Sequence, residues 1–219
     1  MFYKPRNIVS GDYYWMKELN DLVYVAVVDC TGHGVPGAFM SLISSSILNE
    51  SINPAISKYQ PVKMLRFLRK EINSRLSLNN GEHLNDGLDI ALICYDKVKG
   101  TVEYVNANRP LLLISNGELT IIPSEKVTIG GFADFVSMIP SQVVNVKQGD
   151  TFFMFTDGVT DQFGGPKNKK YNPQRLREFL ITHNQLSMDE MRDAISKDIA
   201  DWQGSYGQTD DILMIGLRV

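Results

Sequence analysis

The sequence predicts an α+β fold in which antiparallel sheets are covered by helices. Eight short runs rich in Val, Ile, Phe and Tyr, bounded by Gly, Asn, Asp or Pro, read as strands, and two of the turns between them are of hairpin type. Four helical segments fall in two pairs, one early and one late, so helices are segregated from strands. Four aspartates, Asp12, Asp29, Asp157 and Asp210, each stand beside a run of strand character, which predicts carboxylates gathered at one edge of a sheet.

The elements follow in order. Residues 22–29 form the first strand run, ending at Asp29 in the turn Cys30-Thr-Gly-His-Gly34. A helix is expected from Pro36 to about Asn49, with Phe39, Met40, Ile43, Ile47 and Leu48 on a wide apolar face. A second runs from Pro61 to Leu78, because Leu65, Leu68, Ile72 and Leu76 recur at spacings of three and four. Strands follow at 88–96, 101–106, 111–115, 118–122, 142–146 and 151–156. Lys99-Gly100 and Asn116-Gly117 read as hairpin turns, the latter of type I′, and consecutive hairpins imply antiparallel sheet. Residues 162–172 are polar and basic and are expected to form a mobile loop. Asn172-Pro173 reads as an N-cap followed by proline at the first helical position. That helix places Leu176, Phe179 and Leu180 inward. Ser187 and Glu190 have capping-box spacing ahead of a helix lined by Met191, Ile195, Ile199 and Trp202. The last strand is 212–218. No linker-like tract or repeat divides the chain, so residues 1–219 are expected to form one domain. The abrupt opening suggests a domain excised from something longer.

Composition narrows the function. The 219 residues are 43% apolar, enough for a sizeable core. The net charge of −3, without a basic stripe, gives no support for nucleic-acid binding or a nuclease. No apolar stretch approaches the roughly 20 residues of a membrane span, and the N-terminus lacks a signal-peptide core. Two cysteines, Cys30 and Cys94, in strand-like contexts fit a reducing cytoplasm better than a disulfide framework.

Gathered carboxylates repel one another unless protons or cations neutralise them. Their oxygens are the ligands that Mg²⁺ and Mn²⁺ prefer. The pattern therefore points to a hydrolytic site with two divalent metals, which can share a water, lower its pKa and aim it at phosphorus. Asp29 is too far from Pro36 to cap the helix there. Asp12, after Gly11, also reads as a turn residue, and Asp157 alone would read as an Asp-Gly turn. Cys30 lies in no Cys-x₅-Arg phosphate loop, and no Gly-x-Ser-x-Gly elbow is present.

Ser10-Gly-Asp-Tyr-Tyr-Trp15, Asp29-Cys-Thr-Gly-His-Gly-Val-Pro-Gly-Ala-Phe-Met40, Asp89-Ile-Ala-Leu92, Thr156-Asp-Gly-Val-Thr-Asp161 and Gln208-Thr-Asp-Asp-Ile212 resemble, in order, the blocks of the SpoIIE-type bacterial serine/threonine phosphatases. These form a branch of the metal-dependent PP2C-like phosphatases. The resemblance implies a four-layer αββα sandwich with metals in a cleft at one end. It implies that Asp29 bridges two metals, that the Cys30 carbonyl contributes, that Asp157 and Asp210 hold the first metal, and that Asp12 holds the second, partly through water. Adjacent residues in extended chain face opposite ways, so Asp211 is left to a local turn or to water. His33 is either incidental or the group that protonates the leaving seryl or threonyl oxygen; by spacing alone both stay open.

Arg6 or Lys4 are candidates for holding phosphate, with Arg6 read as a solvated strand-edge residue. Asp86, Asp89 and Asp161 are acidic candidates not expected to ligate directly; Asp89 would support the sheet or water shell and Asp161 would cap a turn. His83 and His183 are expected at the surface. The resemblance also implies partners: a phosphorylated regulatory protein such as an anti-sigma-factor antagonist, upstream sensor or helical segments, and a possible homodimer. Two other functions compete: a partner-binding pseudo-phosphatase, against which Asp29, Asp157 and Asp210 all stand, and another two-metal hydrolase such as a nuclease.

Overall fold

The computed structural model describes residues 1–76, 86–130 and 139–219. Its elements are β1 (Phe2–Lys4), β2 (Asp12–Leu19), β3 (Leu22–Cys30), α1 (Gly34–Ser51), α2 (Pro54–Ser57), α3 (Pro61–Leu76), β4 (Gly87–Asp96) and β5 (Thr101–Ala107). There follow β6 (Leu111–Ser115), β7 (Glu118–Ile122), β8 (Ile129–Gly130), β9 (Gln142–Asn145) and β10 (Thr151–Phe155). The chain ends with α4 (Asp157–Asp161), β11 (Phe163–Gly164), β12 (Lys169–Lys170), α5 (Pro173–Thr182), α6 (Met188–Gln203) and β13 (Ile212–Arg218).

Two antiparallel sheets result. One has the order β1-β13-β10-β6-β7; the other has β2-β3-β4-β5-β9, with β8 attached to β4. Side-chain alternation explains how they stack. Along β3, Tyr24, Ala26, Val28 and Cys30 pack with Met40, Ile47, Leu65, Leu68 and Ile72 of α1 and α3. Val25 and Val27 face the other way and meet Phe152, Met154, Leu213 and Ile215 of the second sheet. The outer face of that sheet, through Phe153, Phe155, Ile212 and Met214, packs on Leu176, Leu180, Ile195 and Ile199 of α5 and α6. The layers are helix, sheet, sheet, helix: the αββα sandwich that the resemblance implies. Strands buried on both faces read as near-continuous apolar runs, which is why β3, β4, β10 and β13 were visible in the sequence.

The local signals mostly act as read. Asn172 Oδ1 accepts from the amides of Gln174 and Arg175, and Ser187 with Glu190 forms the capping box. Asn116 and Gly117 both have positive φ, as a type I′ turn requires. The β4–β5 turn differs from its two-residue reading. Asp96 pairs with Thr101, and Asp96 Oδ1 accepts from the amides of Val98 and Lys99, so the loop spans residues 97–100.

Other expectations need correction. β1 and β2 lay outside the eight strands: β1 is three residues long, and Lys17 and Glu18 interrupt the apolar pattern of β2. Residues 162–172 are not an open loop. They hold the β11–β12 hairpin, the side chains of Gln162 and Tyr171 are buried, and Gly165 N donates to Trp202 O. Tyr171 and Trp202 meet edge to face with the Arg175 guanidinium over both rings, so aromatic burial overrides the polar composition. His183 is half-buried rather than superficial; it ends α5, stacks on Phe179 with ring centroids 4.2 Å apart, and its Nδ1 lies 2.8 Å from Phe179 O. His83 and positions 77 and 78 of the second predicted helix lie outside the described residues.

Candidate active site

Strand register builds the site. Asp12 stands opposite Asp29 across β2–β3, and Asp29 opposite Asp89 across β3–β4. Asp29 shares its face with Val25 and Val27, and Asp89 with Ala91 and Ile93, all of which pack between the sheets. The row of three carboxylates therefore lies at the open end of the inter-sheet seam. The second sheet supplies the facing wall. β10 runs out at Phe155, and α4 opens on Asp157; β13 begins just after Asp210 and Asp211. Asp12, Asp29, Asp89, Asp157 and Asp210 line one polar pocket with Cys30, Thr31, Gly32, His33, Arg109 and Thr128. All six residues singled out from the sequence, Asp12, Asp29, Cys30, His33, Asp157 and Asp210, thus meet in one place.

Like charges opposite one another across strands are destabilising, and the carboxyl groups record this. Burial first, then the charge of Asp29, pushes Asp12 up to about 9. Burial pushes Asp29 up to about 7, against the pull of Arg109 and with the repulsion of Asp157 and Asp89. Burial also raises Asp210. Asp12 is 4% exposed, and its Oδ2 is buried with no hydrogen-bond partner. Orphaned carboxylate oxygens in an oxygen-only set fit a hard divalent cation. The residues present therefore suit the metals that the resemblance implies. Among the described residues, however, no three acidic, histidine or cysteine side chains are already grouped around one point as an ion would require. Arg109 stands between three of them.

Arg109 is the residue that sequence reasoning missed. Its Nη2 lies 2.8 Å from Asp89 Oδ2, 3.0 Å from Asp157 Oδ2 and 3.0 Å from Asp29 Oδ2. The first and last-but-one are hydrogen bonds; the Asp29 contact is an ion pair without hydrogen-bond geometry. The Nε is buried and unpartnered. Asn108, at φ 55°, turns the chain between β5 and β6, and its Nδ2 donates to Asp89 Oδ1 (2.9 Å) and Thr128 Oγ1 (3.0 Å). Asp89 is thereby held on both oxygens. The available signal was Asn108-Arg109-Pro110, a charged residue in a turn at the edge where the aspartates collect.

The adjacent Asp210 and Asp211 take separate roles. Asp211 is buried, and its two oxygens accept from Arg6 N (2.7 Å) and Gly11 N (2.9 Å), pinning the segment before Asp12. Asp210 Oδ1 accepts from Asp211 N at 2.8 Å, while its side chain reaches the pocket. Gly158 is forced by this packing, since a Cβ there would stand 1.9 Å from Asp211 O.

Cys30 lines the pocket, yet its thiol contacts Ser44 Oγ of α1 at 3.7 Å on the opposite face of the strand. Burial pushes that thiol up to about 12, which rules it out as a thiolate nucleophile at neutral pH. Thr31 ties the turn to β4: its Oγ1 donates to Gly87 O and accepts from Gly87 N. His33 is exposed at the pocket rim with its Nδ1 3.1 Å from Asn7 Nδ2. That contact orients the ring at the rim of the pocket.

The remaining candidates lie elsewhere. Lys4 Nζ donates to Gln203 at 3.0 Å, and Arg6 is exposed and absent from the pocket lining. Asp86 is likewise absent from that lining. Asp161 was expected to cap a turn; its side chain instead pairs with Lys170 of β12 at 2.6 Å.

Comparison with known proteins gives consistent likenesses. The sequence model of the family described as Stage II sporulation protein E (SpoIIE) matches residues 20–219. The structure is similar to the SiaA PP2C domain of Pseudomonas aeruginosa, with a TM-score of 0.89 and 28% identity, covering 100% of this chain and 84% of that one. It is similar to the PP2C phosphatase domain, with a fragment of the regulatory domain, of SpoIIE from Bacillus subtilis, with a TM-score of 0.74 and 20% identity over 99% of this chain and 61% of that one. The RsbU and RsbW domains of a Mycobacterium tuberculosis protein give a TM-score of 0.73 and 19% identity over 99% of this chain and 58% of that one. This chain thus spans about three-fifths of the latter two. No curated protein matches the sequence.

Proposed function

The chain belongs to the SpoIIE family of PP2C-like protein phosphatases, and from that premise we propose that it hydrolyses phosphoserine or phosphothreonine esters on a regulatory partner protein in a divalent-cation-dependent reaction. The observation that carries this reading is the in-register row Asp12–Asp29–Asp89, with Asp12 buried and the other two half-buried at the seam, faced by Asp157 and Asp210. Asp12, Asp29, Asp157, Asp210 and the backbone of Cys30 would hold two divalent ions, Mn²⁺ or Mg²⁺. The magnesium complex of RsbX, a similar fold at 16% identity, supports this choice. When bound, such ions supply Lewis acidity, a water of lowered pKa and charge neutralisation on phosphoryl oxygens.

The chain's own residues have distinct tasks. Burial raises Asp12 and Asp29, so cation binding at these two positions is linked to proton release. Asp211 fixes the amides of Arg6 and Gly11 and so the approach to Asp12. His33, at the rim of the pocket, donates a proton to the leaving seryl or threonyl oxygen. The substrate class is a phosphorylated regulatory protein such as an anti-sigma-factor antagonist. That reading draws on the similarity to a protein that carries RsbU and RsbW domains together. No helix among the described residues is long and apolar enough to cross a membrane. We place the reaction in the cytoplasm, where the free, buried Cys30 and Cys94 stay reduced.

The test is Mn²⁺-dependent hydrolysis of p-nitrophenyl phosphate by the wild type beside Asp29→Asn and Asp157→Asn. Activity that needs the cation and is lost in both variants is the expected result. Cation-independent activity, or full activity in either variant, overturns the reading.

A further inference from the structure

Five aspartates face the pocket, and among its lining residues Arg109 is the one side chain with a permanent positive charge. A single nitrogen of its guanidinium, Nη2, meets oxygens of Asp29, Asp89 and Asp157 within 2.8–3.0 Å. Three carboxylate oxygens thus converge on one positive nitrogen at hydrogen-bond and ion-pair distances. The contact is not an ordinary surface ion pair. The Arg109 side chain is 12% exposed, and its Nε is buried with no acceptor. Guanidinium normally matches carboxylate with two parallel hydrogen bonds. Here the contacts to Asp29, Asp89 and Asp157 all run through Nη2, so one amino group is shared among three partners. The side chain is placed for charge rather than for bidentate recognition.

We propose that Arg109 is an internal counter-cation that competes with a divalent ion for Asp29 and Asp157, and so sets the cation affinity of the centre. This rests on the two-cation reading above. A divalent ion and a guanidinium held against the same two carboxylates repel each other, because two positive charges a few ångströms apart are poorly screened in a half-buried site. Entry of the ion therefore requires Arg109 to withdraw. Asp89 is the natural pivot, since its Oδ2 is the nearest partner and its Oδ1 is already fixed by Asn108 and Thr128. Arg109 also lines the neighbouring, mainly apolar pocket with Pro110, Phe155 and Arg177, so it already sits on the boundary between the two. In the cation-free protein the guanidinium holds together carboxylates that would otherwise repel. The cost is weaker binding of the ion that replaces it.

The experiment is calorimetric titration of the whole chain with MnCl₂, for wild type, Arg109→Ala, Arg109→Gln and Arg109→Lys, with thermal melts with and without Mn²⁺. In Arg109→Ala and Arg109→Gln, at least one Mn²⁺ is expected to bind about tenfold or more tightly, because a competing charge is gone. Both variants should melt below wild type without Mn²⁺ and gain more from its addition. Arg109→Lys, which keeps the charge, should stay near wild type. Should Arg109→Ala fail to fold without Mn²⁺, Arg109→Gln carries the same comparison. Equal or weaker Mn²⁺ binding in the charge-removing variants overturns the proposal. A wild type that binds no Mn²⁺ at all would instead overturn the two-cation reading beneath it.

Discussion

A methyl group at Gly37 should separate catalysis from stability. Gly37 is buried in α1, where a Cβ would stand 2.2 Å from the Gly32 carbonyl oxygen and 2.9 Å from Gly11 Cα. Real Cβ atoms keep at least 3.0 Å, so Gly37→Ala must displace the Gly32 turn by about 0.8 Å or more. Two terms set the stability change. Alanine is better than glycine inside a helix by about 1 kcal/mol, and overpacking costs about 1–3 kcal/mol. The net loss is therefore only about 0–2 kcal/mol. The displaced turn, however, joins Asp29 and Cys30 to His33, and Gly11 precedes Asp12. A misplacement of about 1 Å at a reacting centre costs about 100-fold in rate. The kcat/KM for p-nitrophenyl phosphate with Mn²⁺ should fall by about that factor, while urea unfolding should show a loss of no more than about 2 kcal/mol. A variant as active as wild type would refute the coupling of α1 to the site, as would an activity loss that the unfolded fraction fully explains.

Two further predictions follow from the same geometry. Asp211→Asn replaces one of two accepting oxygens by an NH₂ that faces a backbone donor, either Arg6 N or Gly11 N. Loss of one charge-assisted bond should lower stability by about 1.5–3 kcal/mol, read by urea unfolding; an unchanged midpoint would show that these bonds contribute nothing net. The second concerns pH. Asp12 and Asp29 are raised to about 9 and about 7, so the folded, cation-free protein holds protons that the unfolded chain releases near pH 4. Their contribution to stability is fully present below about pH 4 and is lost as pH rises through about 7 and then about 9. The cation-free melting temperature should therefore fall from pH 6 to 9. The stabilisation by Mn²⁺ should grow over the same range, with proton release on binding at pH 6. A melting temperature that rises or stays level without cation, with no proton release, would contradict the raised values.

Periodicity and punctuation determined much of this protein at the level of sequence. The double-sided burial of β3, β10 and β13 left continuous apolar runs, the stripe Leu65, Leu68, Ile72 and Leu76 marked α3, and Asn172 and Ser187 announced two helix starts. These signals are local, since each depends on neighbours within about one turn of helix or one hairpin. The four first-named aspartates were legible because each stands at or beside one end of a strand run, and strand ends collect at sheet edges. The tertiary structure alone decided what those carboxylates meet. Register, which no local signal carries, set Asp89 beside Asp29 and Asp12 on its other side. Packing gave Asp211 to two backbone amides and left Asp210, one residue earlier, for the pocket. The burial of Tyr171 beside Trp202 ordered a segment whose composition reads as loop. Arg109, eighty residues from Asp29 in the chain, became the counter-charge of the site because two sheets close on one seam. Contacts between distant segments arise only when the layers stack, and a one-dimensional pattern does not specify which partners they bring together.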